Sequence, residues 1–279
     1  MREITKFTSP LLLTIFCFLT TTSSSFGQVH DTTLYRQNKV KEVNMWVHVV
    51  AFTKSNDTCL FTTKKINRHG SPTNVVVNYN CQGWDVVTEL DYTYNDKNQM
   101  TGLKTMKNDQ LMSHLTMKLD DYGRILEEEN IFSEPFSILR VKNKYFGDGM
   151  FADSMYSAEI NNGDTSYLKT TFVYDDDKLL KSNTINTDSN KAVSMLTNKY
   201  DEKGRLVRAQ FIYFLSYDND DITKFEYNEK DQIIRTESEL SDIAAEFYYD
   251  KSGLPIKTFY FNKFGSLERE VWYKYEYYD

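Results

Sequence analysis

The chain has 279 residues and a formal net charge of −7, with 20 Tyr, 18 Phe and 3 Trp but only 11 Gly, 4 Pro, 3 Cys and 4 His. An aromatic content of 15% excludes a disordered chain, which lacks the apolar surface to offset chain entropy. The acidic balance argues against a nucleic-acid partner, which needs a basic footprint, and a mean hydropathy of −0.57 argues against a bundle of membrane-spanning helices.

Residues 1–27 read as a secretory signal. Arg2 and Lys6 supply the positive start, Leu11 to Leu19 the apolar stretch, and small residues at Ser25 and Gly27 suit cleavage before Gln28. That apolar stretch is too short to span a bilayer comfortably, and bulky Phe16 before Cys17 does not suit lipidation. After cleavage the chain is one unit more acidic, carries no transmembrane span, and keeps Cys59 and Cys81. In an oxidising compartment these two are expected to close a disulfide, with a pair of buried free thiols as the alternative. The expected location is outside the cytoplasm: periplasmic, outer-membrane associated or secreted. Residues 28–59 form a lead-in segment with a strand expected around 42–52.

From residue 60 to 279 the chain repeats itself. Tyr94-Asn95-Asp96-Lys97-Asn98, Leu119-Asp120-Asp121-Tyr122-Gly123, Tyr200-Asp201-Glu202-Lys203-Gly204, Tyr227-Asn228-Glu229-Lys230-Asp231 and Tyr249-Asp250-Lys251-Ser252-Gly253 share one template. Weaker copies start at Ile66, Tyr145 and Tyr174, one at Phe261 falls half a unit out of phase, and Tyr278-Asp279 reads as a truncated copy. A period of about 26 residues is two strands and two turns. Asp or Asn after the first residue of a copy, its anchor, suits the first position of a type I turn, and Gly, Asn or Asp four after the anchor tolerates positive φ. Together these predict a hairpin closed by a glycine bulge. Lys178 breaks the rule, so the turn at 174–179 is expected to be longer or distorted.

Before each turn the residues alternate. Leu90/Tyr92/Tyr94, Leu115/Met117/Leu119, Phe225/Tyr227, Ala245/Phe247/Tyr249 and Phe259/Phe261 fall on one face, with charged and polar residues such as Glu89 and Asp91 on the other. This is the period of half-buried antiparallel strands. The expected fold is all-β: consecutive antiparallel hairpins forming a long twisted or curled sheet or a partly closed shell. Charges on both faces, such as Glu127 to Glu129, argue against a lipid-facing barrel.

At these residues the chain resembles the YD-repeat (Rhs-like) family, whose unit Tyr-Asp-x-x-Gly-Arg-Leu is matched by Tyr200 to Leu206. The resemblance covers roughly residues 60–279. It implies β-sheet shells associated with secreted toxins, cell-surface adhesion and in some cases carbohydrate binding. The unit here is longer than the family's, and the copies are too few to enclose a toxin. Small exported proteins with degenerate YD-like repeats are the nearer comparison.

No catalytic constellation stands out. The four His lack metal spacing, and there is no GxSxG, P-loop or GxGxxG. Asp218 and Asp220 are the best calcium candidates, but no glycine or distal Glu completes an EF-type loop. No cofactor is expected. Trp46, Trp84 and Trp272 are the rings a sugar would stack on; Trp272 and Tyr248 both sit off the aromatic face of their strands, which leaves exposure or partial burial at a sheet edge or second layer as the two readings. The expected function is a non-enzymatic binding or scaffold role at the cell envelope, toward a protein or glycan partner. The alternative is a carbohydrate-binding or carbohydrate-processing protein using exposed aromatics.

Overall fold

The computed structural model describes residues 32–50, 58–82, 84–145, 147, 149–161, 163–214 and 220–279. The expected signal segment and Asp218 lie outside these residues. The first half of the sheet is β1 (Val40–Val49), β2 (Cys59–Ile66), β3 (Pro72–Asn78), β4 (Val87–Tyr94), β5 (Met100–Lys107), β6 (Gln110–Leu119), β7 (Ile125–Phe132), β8 (Ser137–Tyr145) and β9 (Ala152–Asn161). The second half is β10 (Asp164–Asp175), β11 (Lys178–Asn186), β12 (Lys191–Tyr200), β13 (Leu206–Tyr213), β14 (Asp220–Tyr227), β15 (Ile233–Ser238), β16 (Ile243–Tyr249), β17 (Pro255–Asn262) and β18 (Leu267–Tyr277).

Every strand pairs antiparallel with its sequence neighbours, and β18 pairs back onto β1 from Val40↔Tyr277 to Val49↔Arg269. The result is a closed, up-and-down barrel of 18 strands with no free edge. The all-β hairpin architecture is as expected, but the sheet closes completely rather than partly. The segment read as a lead-in supplies β1, the strand that makes closure possible.

The repeated template lies at one end of the barrel, here the turn end. In the turns at Asp201 and Asn228 the side chain accepts two backbone N–H groups: Asp201 Oδ1 from Lys203 (3.0 Å) and Arg205 (2.9 Å), Asn228 Oδ1 from Lys230 (2.9 Å) and Gln232 (3.0 Å). The same pattern recurs at Asn67, Asn95, Asp120 and Asp250. The fourth residue has positive φ, as in Gly204 (79°), Asn98 (57°) and Asp231 (60°). Just inside each turn the register slips: Thr93 pairs with Gly102 but Tyr94 with Met100, leaving Thr101 as a bulge.

The bulge explains the tyrosine. The Tyr94 hydroxyl donates to Pro72 O (2.6 Å), Tyr145 to Ile125 O (2.9 Å), Tyr200 to Leu179 O (3.1 Å), Tyr227 to Leu206 O (2.8 Å) and Tyr249 to Ile233 O (2.6 Å). Each of these anchors thus staples its hairpin to the first or second residue of the strand before it, while its ring lies on the inner wall. The arginine after the turn has a related role. Arg205 pairs with Asp201 (2.7 Å), reaches Asp231 in the next turn (2.9 Å) and lies over the Tyr227 ring (4.9 Å). Asn228 and Gln232 form a neutral version of the same contact (2.8 Å). The Arg205 backbone N–H and then its guanidinium, against some desolvation, hold the Asp201 carboxyl below its ordinary pKa.

Three expectations are corrected. The turn after Tyr174 is shorter, not longer: Asp175 pairs directly with Lys178 across a two-residue turn in which Asp176 takes the positive φ. Tyr275, not Tyr278, is the last anchor, since its hydroxyl donates to Pro255 O (2.6 Å); Tyr278 instead reaches Ile66 O across the closure (2.6 Å). The out-of-phase copy at Phe261 turns at the opposite, loop end, so Phe259 points outward while Thr258, fully buried, takes the inward place.

The packed core is local. Residues 32–37 are helical and tuck into the turn end of the lumen, where Tyr35 meets Val40, Val43, Ile66 and Leu254 and the Lys64 ammonium lies 5.6 Å from the Tyr35 ring. Elsewhere the inward rings of Phe172, Phe211, Phe225 and Phe247 are half-exposed, while inward Val141, Met155 and Leu196 are buried. Cys59 and Cys81 form the disulfide (Cα–Cα 5.6 Å), tying the start of β2 to a 3-10 turn (Tyr79–Gln82) ahead of β4.

Candidate binding surfaces

The outer wall is charged. Cross-strand pairs run round it, as in Glu129–Arg140 (2.7 Å), Glu127–Lys142 (3.2 Å) and Arg235–Glu246 (2.8 Å). A charge facing the mid-plane of a bilayer costs about 2–4 kcal/mol, so a wall of this composition is suited to water. No helix among the described residues is long and apolar enough to cross a membrane, which says nothing of strands.

One stretch of this wall is different. Backbone register places Tyr248 (β16), Lys257 (β17), Trp272 (β18) and Trp46 (β1) side by side in a single row. The row below it holds Glu246, Phe259, Glu270 and His48. Tyr248 packs edge-on to Phe259 (5.5 Å), and the Lys257 ammonium lies over Phe259 (4.2 Å) and Trp272 (5.1 Å). Lys274 lies over Trp46 (5.1 Å), and the Tyr248 hydroxyl donates to Glu246 (3.3 Å). Trp46 Nε1 is buried and finds no hydrogen-bond partner among the described residues. Tyr248 is 46% exposed, whereas Trp46, Trp272 and Phe259 are half-buried.

Three of the four aromatic candidates are thus brought together. Trp84 is not: it is 68% exposed before β4 at the loop end. Phe259 and the two lysines escaped sequence reasoning because Phe261 reads as an anchor, which assigns Phe259 to the wrong face. Asp220 opens β14, and among the described residues no group of three or more His, Cys, Asp or Glu is placed to hold a metal.

The inner wall is a second candidate surface. Between its rings stand hydroxyl groups, such as the Thr170–Thr184 pair (2.9 Å), and few charges. Glu128 on β7 is half-buried and pairs across the ladder with Met117 and Val141, and burial pushes its carboxyl up. Glu159 on β9 is 7% exposed and accepts a hydrogen bond from Asn161 (2.8 Å). Burial and then the Glu159 charge raise the pKa of Tyr213, so these groups from β9 and β13 face the same space.

No family model matches the chain, and no curated protein matches it. Among solved structures, a porin-like protein from Bacteroides uniformis aligns over 86% of this chain and 97% of its own, at 12% identity and a TM-score of 0.47. A porin-like protein from Bacteroides vulgatus aligns over 85% and 98%, at 11% identity and a TM-score of 0.33. The TcdB2-TccC3 complex aligns over 83% of this chain but only 13% of its own, at 11% identity and a TM-score of 0.40. These likenesses are distant, and the barrel assignment rests on the strand ladders.

Proposed function

We propose that this chain is an exported, non-enzymatic binding protein of the cell envelope, related to the YD-repeat proteins, and that its outer aromatic row binds carbohydrate. The observation that carries the reading is the register row Tyr248–Lys257–Trp272–Trp46, with Phe259 beneath it. Ring faces take the C–H face of a sugar, while Lys257, Lys274 and Glu270 supply donors and acceptors for its hydroxyls. An enzyme needs reacting groups held together in a cleft, whereas this row lies on an open wall. Signal-like residues 1–27 and the disulfide support export.

The test is a glycan array on residues 28–279, followed by titration of any hit while following tryptophan fluorescence. Trp272→Ala with Tyr248→Ala is expected to weaken binding at least tenfold and leave the far-ultraviolet circular dichroism spectrum unchanged. Retention of full affinity by that double variant, or an array without hits, would remove the carbohydrate reading.

A further inference from the structure

The rows on either side of the outer aromatic row define the shape of sugar chain it would take, an inference that rests on the carbohydrate reading above. Tyr248, Lys257, Trp272 and Trp46 stand on four neighbouring strands, so their row runs across the strands and round the barrel, not along its axis. Neighbouring strands lie about 4.8 Å apart, which gives the four positions a length of about 14 Å. Toward the turn end, the next outward row is Lys274, Asn44 and Thr63. Toward the loop end it is Glu246, Phe259, Glu270 and His48. The central row is therefore a track of rings and hydrocarbon with hydrogen-bonding groups along both of its edges.

These edge groups are held in place by their neighbours. Thr63 Oγ1 donates to Asn44 Oδ1 (2.8 Å), and Asn44 Nδ2 donates to Glu42 (2.8 Å). Glu246 accepts from Arg235 (2.8 Å) and from the Tyr248 hydroxyl (3.3 Å), but a carboxylate offers about four acceptor sites and keeps room for a guest. The Lys257 side chain is 31% exposed, with its ammonium over Phe259 and Trp272 and 3.8 Å from Glu270, so it lies along the wall between the rings. A chain of β-1,4-linked pyranoses with equatorial hydroxyls is a flat ribbon. It has C–H groups on its faces, hydroxyls on its two edges, and an advance per unit close to one strand spacing. An α-1,4-linked chain coils instead, and meets a straight row with fewer of its units. We infer that the row binds a linear β-1,4-linked glycan laid across β16, β17, β18 and β1, with successive sugar units on successive strands.

The experiment uses residues 28–279 and three hexasaccharides: cellohexaose and chitohexaose, both β-1,4-linked, and maltohexaose, which is α-1,4-linked. Calorimetric titration is expected to show at least one β-1,4 hexamer binding at least tenfold tighter than maltohexaose. Within that series, affinity is expected to rise from the dimer to the tetramer and then level off, because the row has four positions. Tyr248→Ala removes one end of the row and is expected to bring the hexamer down to the affinity of the trimer, with circular dichroism confirming the fold. Equal or tighter binding of maltohexaose, an affinity that does not change between dimer and hexamer, or no binding of either β-1,4 hexamer would overturn the inference. If the glycan array still gives hits, any of these results removes the linear-chain inference alone; an empty array removes the carbohydrate reading with it.

Discussion

Replacing Gly70 and Gly265 by alanine, one at a time, separates the intrinsic cost of the turn from the cost of displacing the helical segment. Both glycines have positive φ, 86° and 76°, in turns of the same design. A left-handed backbone costs an L-residue about 1–2 kcal/mol, and this applies equally to both. A Cβ at Gly265 meets nothing within 4 Å, so Gly265→Ala is expected to lose only that amount. A Cβ at Gly70 would overlap the carbonyl oxygen of Thr32 and press on the backbone N of Arg36 at 3.0 Å. These are backbone atoms of the helical segment, so the segment has to lift. Lifting it exposes Tyr35, which is 6% exposed in place. Freeing one large buried side chain costs about 1.5–3 kcal/mol, which brings Gly70→Ala to about 3–5 kcal/mol. In a barrel of this size that corresponds to a fall in Tm of about 10 °C, against about 3 °C for Gly265→Ala. Urea unfolding followed by aromatic fluorescence measures both. Equal losses would refute the claim that the turn at Gly70 seats the helical segment. Gly265→Asn should recover much of the loss, since Asn98 already holds this conformation at the equivalent position.

Two further outcomes follow from the tyrosine belt and the disulfide. Burial, with Tyr92 adding to it, pushes Tyr94 up to about 12, and burial likewise pushes Tyr174 to about 12. The folded state therefore holds protons that the unfolded state releases near pH 10, so stability is intact below that pH and falls as pH rises toward 12. Spectrophotometric titration should show late-ionising tyrosines, and Tyr94→Phe should make the alkaline loss shallower; complete ionisation at pH 10 in the folded protein would contradict this. Removing the disulfide with Cys59→Ser and Cys81→Ser should cost about 3 kcal/mol from the denatured-chain entropy of a loop of 22 residues, read as a lower urea midpoint. An unchanged midpoint would mean that the surrounding turns hold this region without it.

The hairpins are legible because their rules are local. Asp201, Gly204 and Arg205 all act within a few residues of Tyr200, so their spacing alone specifies the turn. The two-residue turn after Tyr174 was harder to read, because Asp176 took over the positive φ that Gly supplies elsewhere and Lys178 moved into the strand. Tyr275 and Tyr278 were interchangeable in sequence, and only the positions of Pro255 and Ile66 decide which one is the anchor. Closure itself is written nowhere in particular, since it depends on the accumulated curvature of all the hairpins. The aromatic row was half legible for the same reason. Alternation placed Trp272 and Tyr248 off the aromatic face, but that they neighbour Trp46 follows from joining the two ends of the chain.

That joint separates this barrel's assembly into two kinds of step. Each hairpin pairs residues near in sequence and can form as soon as it emerges, whereas the Tyr278–Ile66 contact spans 212 residues and the β1–β18 seam joins the first strand to the last. Because β1 is made first and its second partner last, one side of β1 stays an unpaired edge for almost the whole of synthesis. The slowest and most aggregation-exposed moment of this molecule's life is therefore the wait for its final strand, and a holdase that shields an open β-edge would act at that moment.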